Sequence, residues 1–216
     1  MKMKKRKELF LDYGGLIFEH KFNNATLSRA HNLALKFLYS RGYRINNNDL
    51  RNAHDEVIAD YLISREKNDV EWSMNKIIGG VVGKLKLDEV IVSSLVEIYK
   101  IHDHDYFPMA TTKKTLPLLS QEFNLHIISN VPHDSIYSEL NNYNMLKFFD
   151  TFTLSGDVGF RKPCSKIYNI ARKKAGISSS DGIFVSHDDI EVEGAKKVGM
   201  HGFLAKSLEE VVEVLQ

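Results

Sequence analysis

Hydrophobic and polar positions along this chain follow three regimes. At the start, Leu9-Phe10-Leu11 is an unbroken apolar run between charged residues, and Asp12-Tyr13-Gly14-Gly15 ends it. A short run bounded by a glycine turn predicts a strand buried on both faces of a parallel sheet. From about residue 24 to 105, apolar residues recur every three or four positions. Leu27, Ala30, Ala34 and Phe37 or Leu38 share one face, with Gly42 as the stop. Leu50, Ala53, Val57, Tyr61 and Leu62 repeat the pattern after Asn46-Asn47-Asn48, a loop that ends in a helix cap. Trp72, Ile77 and Val81 outline a third helix, weakened by Gly79-Gly80. Val92, Leu95, Val96 and Tyr99 outline a fourth. The period is that of amphipathic helices, and no strand is expected in the span.

Beyond Phe107 the pattern alternates. Helical stretches at residues 115–123, 135–142, 165–175, 194–198 and 207–215 interleave with short apolar runs at 125–128, 152–154, 182–185 and 203–204. Strands alternating with helices imply right-handed crossovers and a parallel sheet, which the first strand must join. The expected fold class is α/β, a Rossmann-like parallel sheet sandwiched by helices. Residues 1–19 and 106–216 form this core, and residues 20–105 form an all-helical cap subdomain inserted after the first strand.

This arrangement gives meaning to the polar residues that follow the strands. Asp12 follows the first, Ser129-Asn130 the second, and Asp188-Asp189 the fourth; Arg161-Lys162-Pro163 precedes a helix between the third and fourth. In a parallel sheet all strand tips reach one edge, where open α/β sheets bind their ligands. Taken singly, each residue has a plainer reading. Asp12 near glycine suits a turn, Ser129 a helix cap, Lys162 a solvated surface, Asp188 and Asp189 a turn. Together, three carboxylates, a hydroxyl and an ammonium suit a phosphate and a divalent cation, with Mg²⁺ favoured by hard oxygen ligands. Ser129 and Lys162 donate to phosphoryl oxygens, and Asp12 attacks phosphorus. His187 reads as a local hydrogen-bonding neighbour, and His102 and His104 as a polar helix end. Cys164, after Pro163 at a helix start, reads as a small convenient residue and only weakly as a nucleophile.

Composition removes several alternatives. The chain has 216 residues, 43% apolar and 26% charged, with a formal net charge of +1. Near-neutral charge argues against a broad nucleic-acid surface. The basic cluster Lys2, Lys4, Lys5, Arg6 and Lys7 reads as a solvated terminus. No signal-peptide pattern and no apolar stretch long enough to span a membrane is present. With a single cysteine, the expected location is intracellular and cytoplasmic. Oligomeric state is not legible; Ile77-Ile78-Gly79-Gly80-Val81-Val82 reads as packing within the cap rather than as an interface.

The ordered motifs resemble the haloacid dehalogenase (HAD) superfamily, chiefly its phosphatase-like branch with a helical cap after strand one. The likeness spans about residues 8–20 and 107–216. Asp12-Tyr13-Gly14-Gly15-Leu16 resembles the first motif, Ile127-Ile128-Ser129-Asn130 the second, Arg161-Lys162-Pro163 the third, and Val185-Ser186-His187-Asp188-Asp189 with Glu191 and 194–200 the fourth. The resemblance implies Asp12, Ser129 and Lys162 as catalytic residues. It implies Ser129, Asn130, Lys162 and Gly15 around the phosphate, and Asp12, the Gly14 carbonyl, Asp188 and Asp189 at Mg²⁺, with Glu191 ranked after Asp189. The implied activity is a Mg²⁺-dependent phosphatase acting on a small phosphorylated metabolite through an aspartyl-phosphate.

The chain departs from the family at Gly14, where family phosphatases carry a second Asp that serves as acid and base. Such help is worth about 10²–10⁴-fold. Glu19 or His20, near in sequence, are the candidates to replace it. The fourth motif also lacks its usual glycine before the first acid. The alternatives are a 2-haloacid dehalogenase, which needs no metal, and a non-catalytic protein that kept the fold.

Overall fold

The computed structural model describes residues 6–178 and 181–215. Lys2, Lys4 and Lys5 therefore lie outside the described residues; Arg6 donates to Ser120 O at 2.7 Å. In chain order the strands are β1 (Lys7–Leu11), β2 (Phe18–Lys21), β3 (Asp105–Pro108), β4 (Phe123–Ser129), β5 (Phe149–Leu154), β6 (Gly182–Ser186) and β7 (His201–Leu204). The helices are α1 (Asn24–Ser40), α2 (Asn47–Asn68), α3 (Met74–Lys84), α4 (Val92–His102), α5 (Thr112–Glu122), α6 (Ser135–Asn142), α7 (Ser155–Val158), α8 (Ser165–Ala175), α9 (Asp189–Lys197) and α10 (Leu208–Leu215).

The main sheet is parallel, with strand order β5-β4-β1-β6-β7. β1 sits at its centre. Leu9 pairs with Leu125 on one side and Ile183 on the other, and Leu11 with Ile127 and Val185. Leu9, Phe10 and Leu11 are all fully buried, as an uninterrupted apolar strand covered on both faces must be. The chain leaves β1 toward β4 and later returns to the opposite side through β6, so a topological switch point lies between β1 and β6.

Between β1 and β4, helices α1 to α4 enclose a second apolar core around Ala30, Leu38, Ile78 and Val82. Capping fixes where these helices begin. Asn23 accepts from Ala25 N and Thr26 N, Asn46 from Asp49 N, and Ser73 from Lys76 N. Gly79 and Gly80 do not weaken α3, which runs unbroken. A Cβ at Gly80 would lie 3.1 Å from both Val57 methyls, so the glycine lets α2 and α3 approach. Ile77, Ile78, Val81 and Val82 are buried among the helices, and Trp72 precedes α3 rather than lying on it.

Two further features differ from the sequence expectation. β2 and β3 pair antiparallel, Phe18 with Pro108 and Lys21 with Asp105, and tie together the chain crossings into and out of the helices. Each strand is only four residues long and their partners lie far apart in sequence, so no local pattern announces them. Helix α9 begins at Asp189 rather than near 194, because Asp188 caps it by accepting from Ile190 N at 2.8 Å.

The helices are clamped to the sheet by Glu71, which is buried. It accepts from Tyr61 Oη, from Arg161 Nη1, and from Ser155 Oγ at 2.6 Å. Backbone bonds reinforce the contact: Glu71 N to Gly159 O at 3.1 Å and Met74 N to Pro132 O at 2.8 Å.

Candidate active site

The end of β1 fixes Asp12. Its N–H bonds Val185 O at 2.9 Å, continuing the ladder to β6, and the residue is 4% exposed. The chain then turns sharply, with Ile17 N and Phe18 N both 3.0 Å from Tyr13 O. Gly15 adopts φ +75°, and a Cβ there would lie 2.8 Å from the His187 ring. Only glycine suits both demands.

The Asp12 carboxylate is surrounded by donors. Oδ1 accepts from Tyr13 N at 2.8 Å and Lys162 Nζ at 2.5 Å. Oδ2 lies 3.1 Å from both Ser186 Oγ and His187 Nδ1. Lys162 is fully buried and also lies 2.7 Å from Glu191 Oε2. Its backbone is held by Asn130, whose Oδ1 accepts from Lys162 N at 2.8 Å and whose Nδ2 donates to Glu191 Oε1 at 3.0 Å. One buried cation thus serves two carboxylates, and they divide unequally. Burial pushes both carboxyls up. At Asp12 the Lys162 ammonium, with His187, outweighs burial and holds the group well below the usual carboxylate range. At Glu191 burial prevails over Lys162, and its acidity is weakened. Asp12 is the group that keeps its charge.

Asp12, Gly14, Gly15, Ser129, Asn130 and Asp188 line one cleft of about 370 Å³, with Lys162 buried beneath Asp12. Asp189 is exposed on the first turn of α9 and is not among the lining residues; Glu191, ranked behind it from sequence, is among them. Glu191 spends its oxygens on Lys162, Ser186 and Asn130. The oxygens of Asp12 and Asp188 form a hard donor set that fits Mg²⁺. Cys164 precedes α8 at the position preceding its first turn.

A second cluster faces the same cleft. Glu139 of α6 is 1% exposed, yet it carries four hydrogen bonds. Oε2 accepts from Tyr13 Oη at 2.9 Å and pairs with His20 Nε2 at 2.8 Å; Oε1 accepts from Ser135 Oγ and pairs with His104 Nε2 at 3.2 Å. Burial would raise its carboxyl, but His104 and His20 hold it far below the usual range. His104 is bonded through Nδ1 to Asp103 at 2.6 Å, and these two carboxylates overcome its burial and raise it to about 9.

His104 is therefore not the polar helix end expected from sequence. α4 stops at His102, and the turn into β3 carries His104 inward to stack between Phe22 and His133. His187 likewise does not make the local hydrogen bond expected from sequence: its Nδ1 bonds the Asp12 carboxylate, 175 residues away. Alternation along β2 separates the two candidates near Gly14: His20 lines the cleft, while Glu19 is exposed and pairs with Lys21. Sequence reasoning missed Tyr13, His133 and Glu139. Glu139 lies in a polar helix with no motif around it, and only its fourfold hydrogen bonding distinguishes it. His20, His104 and Glu139 place ligand atoms within 4.8 Å of one another, and hydrogen bonds account for this closeness.

Fold and site define a class: a parallel α/β protein with a lysine-paired carboxylate at the switch point of its sheet, beside an inserted helical block. The chain belongs to the haloacid dehalogenase-like hydrolase family, whose model matches residues 38–205. It is 29% identical over 98 residues to a glyceraldehyde 3-phosphate phosphatase from Methanothermobacter thermautotrophicus; the match covers 45% of this chain and only 43% of that relative. A 2-haloacid dehalogenase from Pseudomonas syringae pv. Tomato shares the fold with a TM-score of 0.68, 15% identity and 98% of each chain covered. A HAD phosphatase from Thermococcus onnurineus does so with a TM-score of 0.61, 20% identity and 97% of each chain covered. Among the described residues, no helix is long and apolar enough to cross a membrane.

Proposed function

We propose that this protein is a Mg²⁺-dependent phosphatase that hydrolyses a small phosphorylated metabolite through an aspartyl-phosphate on Asp12. The observation that carries the reading is a buried Asp12 carboxylate, held by Lys162 Nζ at 2.5 Å and facing a cleft of metabolite size. A carboxylate fixed in its charged form is ready to attack without first losing a proton. In the first step Asp12 forms a bond to phosphorus and the ester P–O bond breaks. In the second, water attacks the same phosphorus, releasing inorganic phosphate and restoring the carboxylate.

Ser129, at the tip of β4, donates to the phosphoryl oxygens. Lys162 offsets charge as it builds on them. Asn130 holds Lys162 in place rather than spending its amide on the substrate. Gly15 lets the backbone approach the phosphate. Asp12, the Gly14 carbonyl and Asp188 would hold Mg²⁺, which would supply positive charge against the repulsion between Asp12 and the phosphate dianion. Residues 1–19 and 106–216 act as the catalytic core. Residues 20–105 act as a cap that selects the substrate, and Phe22 at the cleft wall is one of its contacts. The partial likeness to a triose-phosphate phosphatase favours short sugar phosphates as the substrate class.

The test is a panel of sugar phosphates, acyl phosphates and p-nitrophenyl phosphate, with and without Mg²⁺, against the wild type and Asp12→Asn. Phosphate release that needs Mg²⁺ and vanishes in the variant is expected. Full turnover by Asp12→Asn refutes the mechanism. Metal-free chloride release from a 2-haloacid would replace it with the dehalogenase reading.

A further inference from the structure

An aspartyl-phosphate mechanism leaves one proton to be accounted for. When an alkyl phosphate reacts, the departing oxygen must take a proton, and the attacking water must later lose one. Gly14 has no side chain to help. The other titratable groups of the cleft can be tested one by one.

Asp12 is the nucleophile, and Glu191 is tied to Lys162, Ser186 and Asn130. Tyr13 donates its hydroxyl hydrogen bond to Glu139, and burial beside that carboxylate pushes the phenol far up. His104 spends both nitrogens on carboxylates. His133 is buried, accepts from Ser135 N, and is pushed down to about 4 by burial. His187 bonds the nucleophile itself. His20 differs from all of these. Its Nε2 is paired with Glu139, which already accepts from Tyr13 and Ser135, so Nε2 carries the hydrogen and Nδ1 is the exchangeable nitrogen.

The position of that nitrogen is informative. Gly14 has no positive φ, so its backbone does not require glycine. A Cβ built there would meet one atom within 4 Å, His20 Nδ1 at 3.7 Å. A side chain at residue 14 would be aimed at the imidazole nitrogen. The imidazole therefore fills the space that a carboxylate on residue 14 would reach.

We infer that His20, oriented by Glu139, is the acid and base of this site, a role that rests on the phosphatase reading above. In the first step the Asp12 oxygen bonds to phosphorus, the ester P–O bond breaks, and the leaving oxygen takes the proton from Nδ1. In the second, neutral Nδ1 removes a proton from the water that attacks phosphorus. The acyl-phosphate P–O bond then breaks, giving inorganic phosphate, the Asp12 carboxylate and a reprotonated His20. Glu139 is a positioning residue that keeps the proton on Nε2.

The experiment compares two substrates by rapid mixing with Mg²⁺. p-Nitrophenyl phosphate has a leaving group that needs no proton; glycerol phosphate has one that does. With p-nitrophenyl phosphate, His20→Asn should give a burst of about one nitrophenolate per enzyme and accumulate phosphoenzyme, because only the water step is impaired. With glycerol phosphate it should lose about 10²–10⁴-fold in kcat. Adding Gly14→Asp to His20→Asn should recover at least about tenfold, because the new carboxylate enters the vacated space. Glycerol phosphate turnover by His20→Asn within about threefold of wild type overturns the role, as does equal loss of the burst and of glycerol phosphate turnover without recovery in the double variant. A wild type that yields no burst and no phosphate from either substrate overturns the phosphatase reading itself, and this role with it.

Discussion

Replacing Glu139 by glutamine removes one charge from the buried cluster beside the cleft and leaves His104 paired with Asp103 alone. Both Glu139 and His104 have side chains only 1% exposed, so solvent does little to screen their pair. His104 is held protonated up to about 9, against 6.5 for a free histidine. At about 1.4 kcal/mol per pH unit, this corresponds to roughly 3 kcal/mol of folding stability. Because the folded value lies above the unfolded one, the contribution is fully present below pH 6.5 and is lost as pH rises to about 9. Glu139→Gln should therefore cost about 3–5 kcal/mol near pH 6, where it breaks a buried ion pair. Near pH 9.5, with His104 neutral in both proteins, the cost should fall to about 1–3 kcal/mol, the scale of buried hydrogen bonds that lose their best acceptor. Urea unfolding followed by circular dichroism and by Trp72 fluorescence at both pH values measures it. Equal destabilisation at pH 6 and pH 9.5 would refute the ion pair and the reasoning built on it.

Other expectations follow from the same structure. His31 and His133 are held near 4 by burial, so the unfolded chain binds more protons than the folded one between pH 4 and 6.5. Stability should fall on acidification through that window and, with His104 acting above it, peak near pH 6.5; a curve still rising at pH 8 in thermal melts would contradict this. Gly15→Ala forces a left-handed backbone onto alanine and drives its methyl into His187; a loss of about 1–3 kcal/mol is expected, with crystallography showing the His187 ring displaced. Glu71→Ala removes the acceptor shared by Tyr61, Ser155 and Arg161. A loss of about 3–5 kcal/mol is expected, and limited proteolysis should cut the segment between α2 and α3 faster than in the wild type, an unchanged digestion pattern counting against the clamp.

The fold was largely legible because its rules are local. Leu9-Phe10-Leu11 is apolar without alternation, and only a strand covered on both faces tolerates that. The spacing of Leu27, Ala30 and Ala34 declares a helix wherever it packs. Alternation of the two patterns after residue 107 leaves a parallel sheet as its economical solution, and chain order then carries Asp12, Ser129 and Asp188 to one edge. Where long-range pairing or shape decides, the sequence is silent. β2 and β3 form because Phe18 and Pro108 are brought together, not because either segment prefers to be a strand. Gly79-Gly80 reads as a helix breaker until Val57 packs on Gly80.

Side-chain partnership is the sharpest boundary. Sequence ranks Asp189 ahead of Glu191, two residues on, yet α9 turns Glu191 into the cleft and leaves Asp189 in solvent. Sequence makes Glu19 and His20 equal neighbours of Gly14, and the pleat of β2 sends them to opposite sides. Nothing local marks Glu139 at all; His20, His104 and Tyr13 reach it from elements 35 to 126 residues away. Periodicity and chain order depend on neighbours along the chain, so the sequence determined the fold and the edge where the site lies. Proton inventory and charge depend on neighbours in space, and only the tertiary structure decided those.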